Sequence, residues 1–66
     1  MDAERIKQNL VQARGDKTMV TVAKDTGISI SALSMYESGD RIPRDEIKER
    51  LAKYYGTTVG SLFFDE

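Results

Sequence analysis

Apolar residues recur along the chain with a helical period and are cut into short blocks by single glycines. In the first block Ala3, Ile6, Leu10 and Ala13 fall at i, i+3, i+7 and i+10, one stripe of a helix whose other faces carry Glu4, Arg5, Lys7, Gln8 and Asn9. Gly15 and Asp16 end it. Thr18 suits the cap of a second, two-turn helix that turns Val22, Ala23 and Val20 toward a core, and Gly27 stands where a left-handed residue stops it. Ser29 caps a third helix in which Leu33 and Tyr36 share a face, with Ala32 beside them and Gly39 as the stop. Residues 40–43 connect to a fourth helix, and Pro43 fits at or just before its first turn because a proline there has no N–H to lose. In that helix Ile47, Leu51, Tyr54 and Tyr55 recur at i, i+4, i+7 and i+8, and Glu46/Arg50 and Glu49/Lys53 are favourable i,i+4 pairs. Asp45 and Glu46 suit its positive end, and Gly56 closes it. Thr58 caps a last short helix bearing Val59, Leu62 and Phe63, weakened by Gly60.

A strand reading competes only in the β-branched stretch 18–26 and at Ile28, Ser29 and Ile30, and no second strand of matching length exists to pair with it. The pattern therefore predicts an all-α fold, a compact five-helix bundle, as one domain over residues 1–66. Its second and third helices are short and joined by a tight turn, so they cross steeply only if small residues let the backbones meet. Ala23 and Gly27 supply them, while Leu33 and Tyr36 close the contact from the other side. A small residue, glycine four later, and apolar residues ten and thirteen later is the spacing of a helix-turn-helix, here spanning 18–39.

Composition narrows the chemistry. With 39% apolar and 32% charged residues and one proline, the chain has the make-up of a folded globule, although one of 66 residues hides only about 60% of the surface its unfolded form exposes. It has neither Cys nor His, which removes disulfides, thiolate and imidazole metal ligands, Cys nucleophiles and the commonest general base. No Gly-rich phosphate loop and no carboxylate pair at a shared-site spacing is present, so the expectation is a protein that is not an enzyme and takes no cofactor, metal or small-molecule substrate. The first fifteen residues carry charges of both signs and the longest run of large apolar residues is Leu62, Phe63 and Phe64, which predicts no membrane span and a cytoplasmic protein. The net charge of −1 lacks the basic excess that usually marks nucleic-acid binding, so that function has to rest on where particular side chains sit.

The stretch 18–39, continuing through Arg41, Ile42 and Pro43 to Phe63, resembles the phage repressor and Cro-like (XRE-type) helix-turn-helix proteins, that is, a lambda-repressor-like DNA-binding domain. The likeness rests on Ala23, on Gly27-Ile28-Ser29, on Ser31-Ala32-Leu33-Ser34-Met35-Tyr36-Glu37-Ser38-Gly39, on Pro43, and on Leu51-Ala52-Lys53-Tyr54-Tyr55-Gly56 with the capped helix after it. The resemblance implies a third helix that enters the major groove of double-stranded DNA, as one half of a symmetric homodimer acting on transcription, as a repressor. It also implies that Arg14 is the buried partner of Glu37, fixing the third helix against the first. Phe64 is a candidate dimer contact.

With Leu33 and Tyr36 facing the core, Ile30, Ser31, Ser34, Met35 and Ser38 fall on the opposite face. Hydroxyls there can bond base edges, and Ile30 or Met35 can touch a thymine methyl, so Ile30, Ser31, Ser34 and Met35 are the expected base contacts. Phosphate contacts are expected from Thr18, Met19, Ser29, Ser38, Arg41 and Arg44, through caps, helix-end N–H groups and guanidiniums. The chain departs from the family where Met19 replaces a common Gln and where Ile30 and Met35 replace Arg or Gln on the reading face. A different class remains open: Met19, Ile30 and Met35, with the acidic balance, also suit a protein-interaction module (antitoxin-like or adaptor) on the same fold.

Overall fold

A computed structural model describes residues 2–64, and within them the five expected helices form: α1 (Ala3–Arg14), α2 (Met19–Thr26), α3 (Ile30–Ser38), α4 (Asp45–Tyr54) and α5 (Val59–Phe63). Their ends are set by side-chain chemistry. Asp2, which periodicity did not single out, caps α1 by accepting the Glu4 N–H at 3.1 Å. Thr18, Ser29 and Thr58 cap α2, α3 and α5 as expected, accepting from Thr21, Ala32 and Ser61 at 3.1, 3.0 and 3.0 Å. Glu46 pairs with Arg50 on α4, whereas Glu49 and Lys53 do not form the expected ion pair.

α1 packs on α3 and α5, α2 on α3 and α4, and α4 on α5. The core they enclose draws on every helix: Ile6 and Leu10, Val22, Leu33 and Tyr36, Ile47, Leu51 and Ala52, and Leu62 and Phe63. Ile28, inside the turn where a strand reading competed, is also buried. Val20 departs from expectation and is 63% exposed, because two positions from Val22 is about 200° around the helix. α5 is only five residues long and is held by tertiary bonds: Leu62 and Phe63 are buried, and the Asn9 amide of α1 donates to the Leu62 carbonyl at 3.0 Å. Phe64 is exposed and its ring lies 5.0 Å from the Lys48 ammonium, whose aliphatic stem is buried.

The α2–α3 turn carries a correction. Ala23 is half-buried against the core, as a close crossing requires. Gly27, however, is demanded by conformation and not by crowding: its φ is +77°, its N–H closes on the Ala23 carbonyl at 2.9 Å, and a Cβ placed there meets nothing nearer than an Arg50 nitrogen at 4.0 Å. Gly27→Ala therefore costs the left-handed penalty alone, about 1–2 kcal/mol, with the fold retained. Thermal unfolding followed by circular dichroism measures it; a loss well above this range would mean that space matters too.

Candidate nucleic-acid interface

The site is built around α3. Leu33, Tyr36 and Glu37 face inward, and Ile30, Ser31 and Ser34 come out together on the opposite side, all exposed. Met35, expected to be fully on that face, is half-buried at its edge. Its carbonyl binds the chain that follows, accepting from the Asp40 and Arg41 N–H groups at 3.0 and 3.3 Å. A surface with two hydroxyls, an isoleucine and no carboxylate can come against an anionic duplex without repulsion.

The expected phosphate contacts divide. Thr18 and Ser29 are exposed caps at the positive ends of α2 and α3, and Arg41 and Arg44 are exposed on the connection between α3 and α4. Two others are less suited than expected. The Met19 side chain is packed against the core, so this residue has only its backbone N–H to offer at the α2 end. The Ser38 hydroxyl donates to the Asp40 carboxylate at 2.9 Å, and a negative charge so close repels a phosphate.

Behind the face lies the anchoring pair. Arg14 Nε donates to both oxygens of Glu37, at 3.0 and 2.9 Å, and Arg14 Nη1 donates to the Lys17 carbonyl at 2.7 Å. Glu37 is buried, with its side chain only 7% exposed, so α3, α1 and the α1–α2 loop are joined by one charged group. The hydrogen bond to Glu37 raises the Arg14 pKa above its usual value. A second link was invisible in the sequence: Lys17 Nζ donates to Tyr54 Oη at 3.1 Å, and that hydroxyl donates to Asp25 at 2.6 Å. The bond to Tyr54 raises the Lys17 pKa. One tyrosine on α4 thus holds both the approach to α2 and its last turn.

These groups set an alkaline limit. Burial, and then the charge of Glu37, push the neighbouring Tyr55 phenol up to about 12, whereas an unfolded chain loses that proton near 10. A raised pKa gives stability that is complete below pH 10 and disappears as the pH climbs toward 12. Urea midpoints are expected to fall between pH 9 and pH 11.5, and Tyr55→Phe should flatten that fall; an unchanged slope would detach Tyr55 from the effect.

The family model described as Helix-turn-helix matches residues 4–62, nearly the whole chain. The chain is a member of that helix-turn-helix family. It is the XRE type, a family of DNA-binding domains, to which the helix-turn-helix of 18–39 had pointed. No curated protein and no solved structure matches this helix-turn-helix chain. Among the described residues of the helix-turn-helix domain, no helix is long and apolar enough to cross a membrane.

Residue periodicity missed one part of the helix-turn-helix surface. In sequence Arg50 and Glu46 make an i,i+4 pair and Glu46 suits the positive helix end, yet both line the same groove as Arg41, Arg44 and the α3 cap Ser29. Arg50 Nη1 also donates to the Thr26 carbonyl at 3.3 Å, across to the end of α2. Arginines at 41, 44 and 50 in an otherwise slightly acidic chain are the available signal, but their convergence depends on how α4 lies against the α2–α3 turn.

Proposed function

We propose that this chain is a sequence-specific double-stranded-DNA-binding transcriptional regulator, a cytoplasmic repressor that reads the major groove with α3 as half of a homodimer. The observation that carries this reading is the exposed, carboxylate-free face of Ile30, Ser31 and Ser34, with Met35 at its edge, flanked by two capped helix ends and by Arg41 and Arg44. Ser31 and Ser34 would bond base edges, and Ile30 and Met35 would meet thymine methyls. Thr18, Ser29, Arg41, Arg44 and the Met19 N–H would hold the sugar-phosphate backbone, while the Asp40 carboxylate argues against the same role for Ser38. The reading assigns no catalytic residue, metal or cofactor.

Selection of bound duplexes from a random pool tests it. The expected product is a palindrome whose half-sites lie about 34 Å apart, which reports sequence preference and two-fold symmetry together. Failure to enrich any sequence would overturn the reading.

A second reading has its own observation. Val20, Ile30 and Ile42 are exposed at 63%, 47% and 43% on a chain of net charge −1, which suits a protein-interaction module. Fluorescence anisotropy with mixed-sequence duplex at low salt separates the two, because absence of binding at micromolar protein favours the module.

A further inference from the structure

The groove beside α3 holds three guanidiniums and one carboxylate. It encloses about 550 Å³ between the start of α3, the α3–α4 connection and α4, with Arg41, Arg44, Glu46 and Arg50 among its lining. Arg50 is engaged at both ends of its fork: Nη2 pairs with Glu46, and Nη1 donates to the Thr26 carbonyl. The Glu46 and Arg50 side chains are 54% and 41% exposed, so their pair can open without disturbing the core.

Resting on the DNA-binding reading above, we propose that Glu46 is an internal competitor for a backbone phosphate of duplex DNA: it occupies Arg50 in the free domain, and a phosphate entering beside Arg41 and Arg44 displaces it. A guanidinium binds carboxylate and phosphate oxygens through the same planar fork, so the exchange replaces one singly charged partner by another of similar geometry. The bond to Thr26 keeps the guanidinium at the groove when Glu46 leaves, which spares the phosphate the cost of ordering that side chain. Glu46 thereby holds down affinity for duplexes of any sequence, because every duplex presents the phosphates it competes with.

Glu46→Gln and Asp45→Asn form the test. Both remove one negative charge from the first turn of α4, but the Asp45 carboxylate lies 3.7 Å from Lys48 and does not line the groove. Anisotropy titrations over a salt series should show E46Q binding duplex about fivefold tighter, with the log-log salt slope steeper by about one, and D45N unchanged within about twofold. Arg50→Gln added to E46Q should abolish the gain. Equal affinity for E46Q and the native chain, or an equal gain from D45N, overturns the proposal. If the native chain binds no duplex at all, the DNA reading itself fails, and titration with inorganic phosphate followed by NMR decides the groove. Saturable shifts at Arg50 and Ser29, tighter in E46Q, would then support a phosphate seat for which Glu46 competes; no saturable shift in either protein would overturn it.

Discussion

Arg14→Ala is expected to lower the unfolding free energy by about 3–5 kcal/mol, because it leaves the Glu37 carboxylate buried without its counter-charge. That is a large part of what a chain of this size possesses, since about 0.05–0.15 kcal/mol per residue amounts to only about 3–10 kcal/mol. The melting temperature should drop by more than about 12 °C. The loss comes from stranding one partner and not from the intrinsic worth of the pair, so removing both charges gives a contrasting result. An Arg14→Met, Glu37→Leu double variant should recover most of the stability, because apolar side chains of similar volume carry no charge to desolvate. Thermal and urea unfolding of the two single variants and the double variant measure this directly. If Arg14→Ala melts within a degree or two of the native protein, the pair does not hold α3.

The second large effect concerns DNA and separates affinity from preference. Arg41→Ala and Arg44→Ala should each weaken binding about tenfold on every duplex, the scale of one charge-assisted hydrogen bond, and each should reduce the salt slope by about one. Ser31→Ala and Met35→Ala should leave that slope alone and change which base is favoured at one position, by about 1–3 kcal/mol of discrimination. Salt-series titrations on a selected site and on single-base variants of it read both quantities. A uniform loss from the Ser31 change, with preference untouched, would remove Ser31 from the reading face.

Most of the fold was legible because punctuation and period agreed. Thr18, Ser29 and Thr58 cap where a hydroxyl precedes an apolar repeat, and Gly15, Gly27 and Gly39 end helices in backbone conformations with positive φ. Legibility failed where an outcome depended on a second element. Val20 and Val22 are chemically alike, and only the docking of α2 leaves one at the surface and the other in the core. The Arg14–Glu37 pair, separated by 23 positions, came from the family resemblance and from no spacing rule. The Lys17, Tyr54 and Asp25 network joins the α1–α2 loop, α4 and α2, so no local window contains it. At the candidate site, the exposed face of Ile30, Ser31 and Ser34 followed from where Leu33 and Tyr36 had to go. The diversion of Ser38 to Asp40 instead depended on the path of the chain after Gly39.

The Met35 carbonyl, shared by the amides of Asp40 and Arg41, ties α3 to its arginine-bearing connection through the main chain at position 35. That tie makes no demand on the identity of the side chain at 35, nor on those at 30, 31 and 34. On the proposed reading, positions 30, 31 and 34 can therefore be rewritten as a set while the arginines keep their bearing, which would make this domain a chassis for interchangeable target sequences.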